Sequence, residues 1–457
     1  MIQFLYLENS KHTKMKYFAL ILIGILVVSC SNDEIDESQL DIKLLELLDD
    51  NSGGEGVNFY TLPSSDDFNS IPQDEDNEIT QNKVELGKFL FHETAFAVKG
   101  LFPEAKGTYS CASCHHAQAG FQSGIRQGLG EGGNGFGFTG EGRVQNENCG
   151  THDLDVQPVK SPSILNSCYQ EVMLWNGQFG ARGINEGTED NWPEGTPIAK
   201  NVLGFEGVEI QAIAGMGVHR LDINKELVVE NNYKQMFDNA FPNLSEEERY
   251  SVEAAGLAIA AYERTVLANQ APFQKYLKGN TAALSIEEKN GAILFFGKAN
   301  CVACHTGPAL NKMEFHALGM NEFNADEVFR YAEDDPARFG RYSFSKKEED
   351  KFKFKTPQLY NLNEVNFYGH GSSFTSIREV IEYKNEAVSQ NPEVGDELLA
   401  ELFVPLDLTT EEINQLTSFI TFSLQDPNLD RYVPSSLPSG QCFPNNDPIS
   451  SIDLGCN

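Results

Sequence analysis

Apolar residues recur at helical spacing in two long segments of the chain. Each segment follows a capping box, in which a hydroxyl residue is followed three positions later by glutamate. The boxes are Ser245 with Glu248 and Thr409 with Glu412. The apolar positions behind them are Val252, Ala255, Ile259, Tyr262 and Val266 in the first segment, and Ile413, Leu416, Phe419 and Ile420 in the second. This spacing predicts a long helix in each segment, and because no strand-rich segment of any length is present, we predict a mainly α fold.

A shorter apolar pattern occurs twice. Residues 87–91 read GKFLF and residues 291–295 read GAILF, and a Cys-x-x-Cys-His sequence follows each of them. A third capping box, Ser285 with Glu288, precedes the second copy. The cysteine motif begins six positions after the second apolar stretch but twenty positions after the first. We therefore predict a helix leading into each motif, a loop in the longer connection and an internal duplication.

A further apolar run, Tyr17–Val28, lies near the amino terminus behind Lys11, Lys14 and Lys16. Its 12 residues are too few to span a bilayer but match the core of a signal peptide. Because the sequence Val-Val-Ser-Cys30 resembles a bacterial lipobox, we predict a lipoprotein-type signal peptide over residues 1–29 and a lipid on Cys30. A plain secretory signal is the alternative. We expect an exported protein that is periplasmic or attached to the outer membrane through that lipid only, with an acidic tether and N-terminal approach over residues 30–80.

The two Cys-x-x-Cys-His sequences carry the chemistry. Two cysteines three positions apart can each form a thioether with one porphyrin, and the adjacent histidine can bind its iron. A shared zinc site would need the two cysteine pairs closer together, and a thioredoxin-like pair explains neither histidine. We therefore predict two covalent c-type haems, with Cys111, Cys114, Cys301 and Cys304 as attachment residues, and His115 and His305 as proximal iron ligands.

Four further cysteines remain once the haem cysteines and Cys30 are assigned. An even number in an oxidising compartment suggests disulfides. We expect Cys149 to pair with Cys168 and Cys442 with Cys456, although the sequence leaves the other pairings open.

The charge of the chain restricts its partners. With 34 basic and 67 acidic residues the formal net charge is −33, which would repel nucleic acid and anionic lipid but could steer a basic redox protein. Acidity that only keeps an exported protein soluble is the alternative. The 457 residues can bury the cores of two or three ordinary domains.

Several segments resemble the bacterial di-haem cytochrome c peroxidases and the related di-haem enzymes that oxidise a protein side chain. The similar segments are residues 86–91, 161–166, 174–177, 315–319 and 354–359, together with both haem motifs. The resemblance implies two cytochrome c-like helical domains with one covalent haem each. It places a peroxidatic haem domain at 81–270 and an electron-transfer haem domain at 271–435, before a C-terminal tail at 436–457. The implied function is reduction of hydrogen peroxide with electrons from a small cytochrome c or cupredoxin.

The distal residues depart from the family pattern. Gln211 fits a family glutamine, but Leu221 stands where relatives have a catalytic glutamate. His219 and Arg220 lie just before this position, and either an imidazole or a guanidinium could serve here. We expect His219 to move the proton, because an imidazole titrates near neutral pH. A buried structural histidine, or a histidine that blocks the first iron, is the alternative, and Glu206 and Glu209 are substitutes for the missing acid.

The resemblance also assigns roles around the second haem. It implies that Trp175 relays electrons between the haems, although core packing alone explains most tryptophans. Relatives supply methionine or tyrosine as the sixth iron ligand, and here Tyr383 or Lys384 stands in that region. Met313 and Met320 are further candidates. Relatives often bind calcium through an asparagine at the position of Lys160, so calcium is doubtful.

Three functions follow from these residues. A peroxidase is the first, a peroxide-dependent oxidase of a protein side chain is the second, and a di-haem electron carrier is the third. The sequence does not decide whether the protein forms a homodimer.

Overall fold

The structure, a computed structural model, describes residues 37–456. The predicted signal peptide, the lipid site at Cys30 and the start of the acidic tether lie outside the described residues. No helix within residues 37–456 combines the length and apolarity needed to cross a bilayer.

Helices dominate the described chain, which confirms the mainly α class. They are α1 (Glu37–Asn51), α2 (Val57–Tyr60), α3 (Gln81–His92), α4 (Gly207–Val218), α5 (Lys225–Glu230), α6 (Lys234–Ala240), α7 (Glu246–Arg249), α8 (Val252–Thr265), α9 (Pro272–Leu277), α10 (Ile286–Phe296), α11 (Tyr342–Ser345), α12 (Ile377–Glu386), α13 (Thr410–Ser418) and α14 (Pro448–Asp453). A π-helical turn, Phe419–Ser423, continues α13. Short 3₁₀ turns fill many of the connections.

The strands are short. β1 (Gly133–Asn134) pairs antiparallel with β2 (Val144–Gln145), with Gly133 opposite Gln145. β3 (Lys312–His316) pairs antiparallel with β4 (Phe354–Thr356), with His316 opposite Phe354 and an irregular register near Lys312. The longer predicted loop before the first haem motif contains no helix beyond one 3₁₀ turn, Pro103–Ala105.

Two helix pairs reveal the internal duplication. α3 crosses α8 where a methyl group on Gly87 would lie 1.9 Å from the carbonyl oxygen of Ala258. α10 crosses α13 in the same way, because a methyl group on Gly291 would lie 2.0 Å from the carbonyl oxygen of Gln415. Only glycine permits this approach of two backbones, which explains why both apolar stretches begin with glycine.

Two of the predicted capping boxes start the helices expected of them. Ser285 and Glu288 cap α10, and Thr409 and Glu412 cap α13. The third prediction is wrong in part, because the box at Ser245 caps only the single turn α7. The chain leaves the helical conformation at Tyr250, whose ring is buried beside Phe237, and a second cap at Ser251 starts the long helix α8.

The buried apolar side chains form two large clusters. One draws on residues 86–266 with Leu429 and Tyr432, and the other on residues 44–79, 267–310 and 360–424 with Cys168. α1 belongs to the second cluster through Leu44 and Leu48. The described start of the predicted tether is therefore a packed helix that lies against the second half of the chain, whereas Asp74 and Asn77 near its end contact the first half.

The C-terminal tail returns to the first haem motif. Cys442 forms a disulfide with Cys456, which confirms that pairing. Ser110 Oγ donates to the carbonyl oxygen of Pro444 (2.9 Å), and the Asp447 carboxylate accepts from the backbone N–H of Gly135 (2.9 Å). The tail therefore supports the segment that surrounds the first haem motif.

The predicted pairing of Cys149 with Cys168 is wrong. Both thiols are free and buried, and they lie in different apolar clusters. Cys149 packs with Leu129 and Leu154, whereas Cys168 packs in the second large cluster. Their closeness in sequence therefore does not bring the two sulfur atoms together.

Candidate functional site

Both Cys-x-x-Cys-His sequences adopt the same local structure. Cys111–Ser113 and Cys301–Ala303 each form one 3₁₀ turn, and the second cysteine of each motif ends that turn. The four thiols are free. Each motif therefore presents two available sulfur atoms from a single turn, with the histidine directly behind them.

The two motif histidines are held by the same kind of hydrogen bond. His115 Nδ1 lies 3.3 Å from the carbonyl oxygen of Phe121, and His305 Nδ1 lies 3.1 Å from those of Leu310 and Pro357. Because a carbonyl only accepts, Nδ1 carries the hydrogen and Nε2 keeps a free lone pair, the arrangement usual for an imidazole that binds a metal. Burial lowers the pKa of both histidines to about 4, so both stay neutral at physiological pH.

The sequence contained a second repeat that the motif analysis missed. Pro162 precedes Asn166 by four positions, and Pro357 precedes Asn361 by the same number. Both asparagines adopt a left-handed backbone, with φ of 58° and 54°, and a 3₁₀ turn follows each. The spacing Pro-x-x-x-Asn was the signal that could have shown it. The loop behind each histidine is therefore duplicated together with the motif.

The first motif has a polar helix face nearby. Gln211 and His219 lie on one face of α4 and its end, because a methyl group on the intervening Gly215 would lie 3.4 Å from Gln211 Nε2 and 3.9 Å from His219 Cδ2. Gln211 Oε1 is buried without a hydrogen-bond partner among residues 37–456. Burial lowers the pKa of His115 most, and the charge of His219 acts in the same direction.

An aspartate that sequence reasoning missed holds His219. Asp155 Oδ2 lies 2.8 Å from His219 Nδ1, and the Asp155 side chain is 6% exposed while that of His219 is 34% exposed. Burial favours the neutral imidazole, but the charge and hydrogen bond of Asp155 outweigh it and raise the pKa of His219 above its ordinary value. His219 is thus a partly accessible acid or base with a fixed orientation.

The other candidates for the missing acid are engaged elsewhere. Glu209 accepts two hydrogen bonds from the Arg264 guanidinium (2.8 and 2.6 Å), and Glu206 accepts a third (2.9 Å). Arg220 is paired with the buried Glu131. These carboxylates therefore form structural ion pairs, and Leu221 at the family's acid position is buried in the core.

The second motif lies in the wall of a cavity. Its lining includes Cys304, His305, His316, Met320, Trp175 and Lys384. Trp175 Nε1 donates to the backbone oxygen of Lys160 (2.8 Å), and its ring makes an edge contact with His370 (6.2 Å between centroids). The structure therefore places the predicted tryptophan, which belongs to the first half of the chain, in the wall of the cavity that the second motif also lines.

The two candidate sixth ligands point in different directions. Tyr383 donates its hydroxyl to the backbone oxygen of Leu318 and packs with Phe374 and Phe403. It does not line the cavity. Lys384 does, and burial lowers its pKa to about 8. Both residues therefore stay predictions as ligands, but only Lys384 faces the cavity, and the Tyr383 hydroxyl already bonds to the backbone.

Lys160 occupies the position at which the resemblance suggests a calcium ligand. Its side-chain nitrogen donates to Gln122 Oε1 (2.8 Å), and burial lowers its pKa to about 7. This position therefore holds a buried amine with its own partner.

The donors fit two c-type haems. Each motif offers two free thiols and an imidazole whose Nε2 is free, and the second also faces a cavity lined largely by apolar side chains. These are the groups that thioether attachment and iron ligation need.

Comparison with known proteins agrees with this geometry. Residues 81–282 match the family model of di-haem cytochrome c peroxidase. This part of the chain is similar to the di-haem cytochrome c peroxidase family. Members of the family carry two c-type haems.

Similarity extends over most of the chain. Cytochrome-c peroxidase IdrP1 of Pseudomonas sp. (strain SCT) is 28% identical over 387 residues, which cover 79% of this chain and 85% of the relative. Methylamine utilization protein MauG of Methylorubrum extorquens is 24% identical over 364 residues, covering 78% and 82%. The crystal structure of a MauG-like protein associated with microbial copper homeostasis has a TM-score of 0.53 at 24% identity and covers 80% of this chain and 94% of that one. The fold is therefore similar to that of this MauG-like protein.

Proposed function

We propose that this protein is a di-haem peroxidase that reduces hydrogen peroxide to water with electrons from a small redox protein. The observation that carries the proposal is the hydrogen bond between His219 and Asp155, at the end of the helix that carries Gln211. It provides an oriented proton carrier where the family's glutamate is replaced by Leu221. When bound, the two haems supply irons that exchange one electron at a time.

The residues of the first site have defined tasks in this proposal. Neutral His219 would accept a proton from hydrogen peroxide and return it to the oxygen atom that leaves as water. Asp155 orients the imidazole, and Gln211 offers its unpartnered oxygen as a hydrogen-bond acceptor. Two electrons and two protons per peroxide give two waters.

The division into two haem domains is part of the proposal. We assign residues 81–270 to a peroxide-reacting domain and residues 271–435 to an electron-accepting domain, with the tail 436–457 as a support for the first. The duplicated helix crossings at Gly87 and Gly291 and the duplicated histidine loops support this division. Trp175 lies in the wall of the cavity that the second motif lines, where it would relay electrons.

The test is peroxide-driven oxidation of a reduced small cytochrome c by the protein that carries both haems. We expect two cytochromes to be oxidised per peroxide, and turnover should fall steeply in His219→Ala. Because the net charge is −33, a basic donor should react faster than an acidic one, and added salt should reduce the difference. A protein with both haems that is indifferent to peroxide would instead be an electron carrier.

A peroxide-dependent oxidase of a protein side chain is the second candidate. The replacement of the family's acid by the buried Leu221 and the similarity to MauG favour it. Peroxide consumption that leaves reduced cytochrome c untouched would support this candidate over the first.

We also propose that the protein is exported and anchored by a lipid on Cys30. The lipobox-like sequence supports this, and the Cys442–Cys456 disulfide is typical of an oxidising compartment. Metabolic labelling with a fatty-acid analogue should mark the wild-type protein and not the Cys30→Ala variant.

A further inference from the structure

The helix α12 presents one continuous face to the cavity that the second haem motif lines. Ile377, Val380, Ile381 and Lys384 all line this cavity, and their spacing of three, four and seven positions places them on one side of a helix. Lys384 is therefore the polar end of an apolar stripe that faces the cavity of Cys304 and His305.

Tyr383 is turned away from this face, as expected for a neighbour rotated by about 100° around the helix. Its ring lies 5.0 Å from that of Phe374 and 5.3 Å from that of Phe403, and the residue is 7% exposed. Its hydroxyl donates to the backbone oxygen of Leu318. Moving this oxygen into the cavity would break that hydrogen bond and rotate the helix.

Lys384 differs from the two buried lysines near the cavity. Lys160 donates to Gln122 (2.8 Å), and Lys355 donates to Gln170 and to the backbone oxygen of Val172 (2.6 Å). Within residues 37–456, by contrast, Lys384 forms neither a hydrogen bond nor an ion pair, and its ammonium group lies 5.7 Å from the Phe403 ring. The amine therefore faces the cavity without an oxygen partner among these residues.

We propose that Lys384 Nζ is the sixth ligand of the iron whose proximal ligand is His305. The inference rests on the proposed function, since it requires a haem at the second motif. The ammonium group loses its proton to solvent, and the freed lone pair forms the iron–nitrogen bond; no electron is transferred. Histidine and amine ligation should give a six-coordinate iron with a lower potential than histidine and methionine ligation.

Two other side chains in the same cavity could compete. His316 Nε2 lies 3.6 Å from Cys304 Sγ and 3.5 Å from Glu314 Oε2, so it sits on the attachment side of the cavity. Met320 packs with Leu318 and Tyr368 in the cluster that contains Tyr383. Neither lies on the cavity-facing stripe of α12.

The experiment uses the full protein with both haems attached, in the ferric state. Electron paramagnetic resonance and near-infrared magnetic circular dichroism of the wild type should show a low-spin haem with two nitrogen ligands and no sulfur-to-iron charge-transfer band. Lys384→Met should introduce that band and raise one of the two midpoint potentials, while Lys384→Ala should make the same haem high-spin. Tyr383→Phe is the matched control and should keep the wild-type spectrum.

Each contrary result has a definite meaning. A sulfur band in the wild type that disappears in Met320→Ala, or a wild-type spectrum retained in Lys384→Ala, would overturn the ligand proposal. Loss of the nitrogen signature in His316→Ala or Tyr383→Phe but not in Lys384→Ala would also overturn it. If mass analysis finds fewer than two haems, the proposed function fails as well, whereas two haems and peroxide turnover with an unchanged Lys384→Ala spectrum refute only the ligand.

Discussion

Asp155 Oδ2 lies 2.8 Å from Nδ1 of His219, across 64 positions of sequence. The backbone of Asp155 is fixed on both sides, because its N–H donates to the carbonyl oxygen of Glu131 (3.1 Å) and its own carbonyl accepts from Gly130 (2.9 Å). Gly130 is needed for this approach, since a methyl group there would lie 2.4 Å from Asp155 Oδ2. The carboxylate therefore selects the His219 tautomer that keeps a lone pair on Nε2.

His219→Ala should slow the reaction with peroxide by about 10²–10⁴-fold, the usual contribution of a general acid–base group. Stopped-flow mixing of the protein with peroxide measures it, with haem content checked in each variant. A rate within a factor of two of the wild type would contradict a role for His219 in proton transfer.

The pH dependence of the reaction with peroxide should depend on the charge of Asp155, because this charge raises the pKa of His219. Since neutral His219 takes the first proton, the rate should rise with pH, with a midpoint above the ordinary histidine pKa of 6.5. Burial acts against this rise in pKa, and so does the charge of Arg220, which is itself paired with Glu131. His115 is neutral over this pH range. In Asp155→Asn the midpoint should move to lower pH, because the group that stabilises the imidazolium has lost its charge.

Asp153→Asn is the control for that substitution. Asp153 is exposed, and Arg220 contacts only its backbone oxygen (2.8 Å). An equal shift of the midpoint in both variants would show a general effect of charge rather than the hydrogen bond.

Gly87→Ala and Gly291→Ala should each destabilise the protein, by about 1–3 kcal/mol or more, because each methyl group would collide with a backbone oxygen and push two helices apart. Chemical denaturation followed by circular dichroism measures the free energy of unfolding. Gly217→Ala near the end of α4 is the control: nothing lies within 4 Å of its new methyl group, and it should stabilise the protein by up to about 1 kcal/mol. Equal effects at all three positions would refute the helix-crossing argument.

Asp447→Ala should cost about 3–5 kcal/mol, since it leaves the Arg143 guanidinium buried without its carboxylate. The two side chains are only 1% and 4% exposed, and Arg143 also donates to the backbone oxygens of Leu129 and Gly130. The loss should appear in thermal or chemical unfolding. Glu246→Ala, which breaks an exposed pair with Lys225, should change stability by less than about 1 kcal/mol.

Much of the site could be predicted because its residues are adjacent in sequence. The haem motifs, the helices that lead into them and the Cys442–Cys456 disulfide follow from local spacing and cysteine arithmetic. Asp155 could not be predicted, because it reaches His219 from a separate loop and no spacing rule links the two. The wrong pairing of Cys149 with Cys168 has the opposite cause: the two residues are close in sequence, but they lie in different apolar clusters.

The choice between Tyr383 and Lys384 depends on the phase of one helix. The apolar stripe of Ile377 and Ile381 continues to Lys384, so the signal was present in the sequence. The capping box at Ser245 misled because the chain leaves the helical conformation at Tyr250, and a second cap at Ser251 starts α8. Local signals gave the right helices and the wrong boundary where a buried side chain intervened.

Trp175→Phe should slow electron delivery from a reduced donor to peroxide by at least about tenfold while leaving the first reaction with peroxide unchanged. The indole lies in the wall of the cavity that the second motif lines, and its N–H donates to the backbone oxygen of Lys160. Phenylalanine keeps most of the packing, but it is harder to oxidise and loses this hydrogen bond. Trp192→Phe is the matched control, because this second tryptophan donates to Thr188 in a separate 3₁₀ turn and should leave both rates as in the wild type. Steady-state turnover compared with stopped-flow peroxide reaction separates the two steps. Equal turnover in the two variants would show that Trp175 serves packing alone.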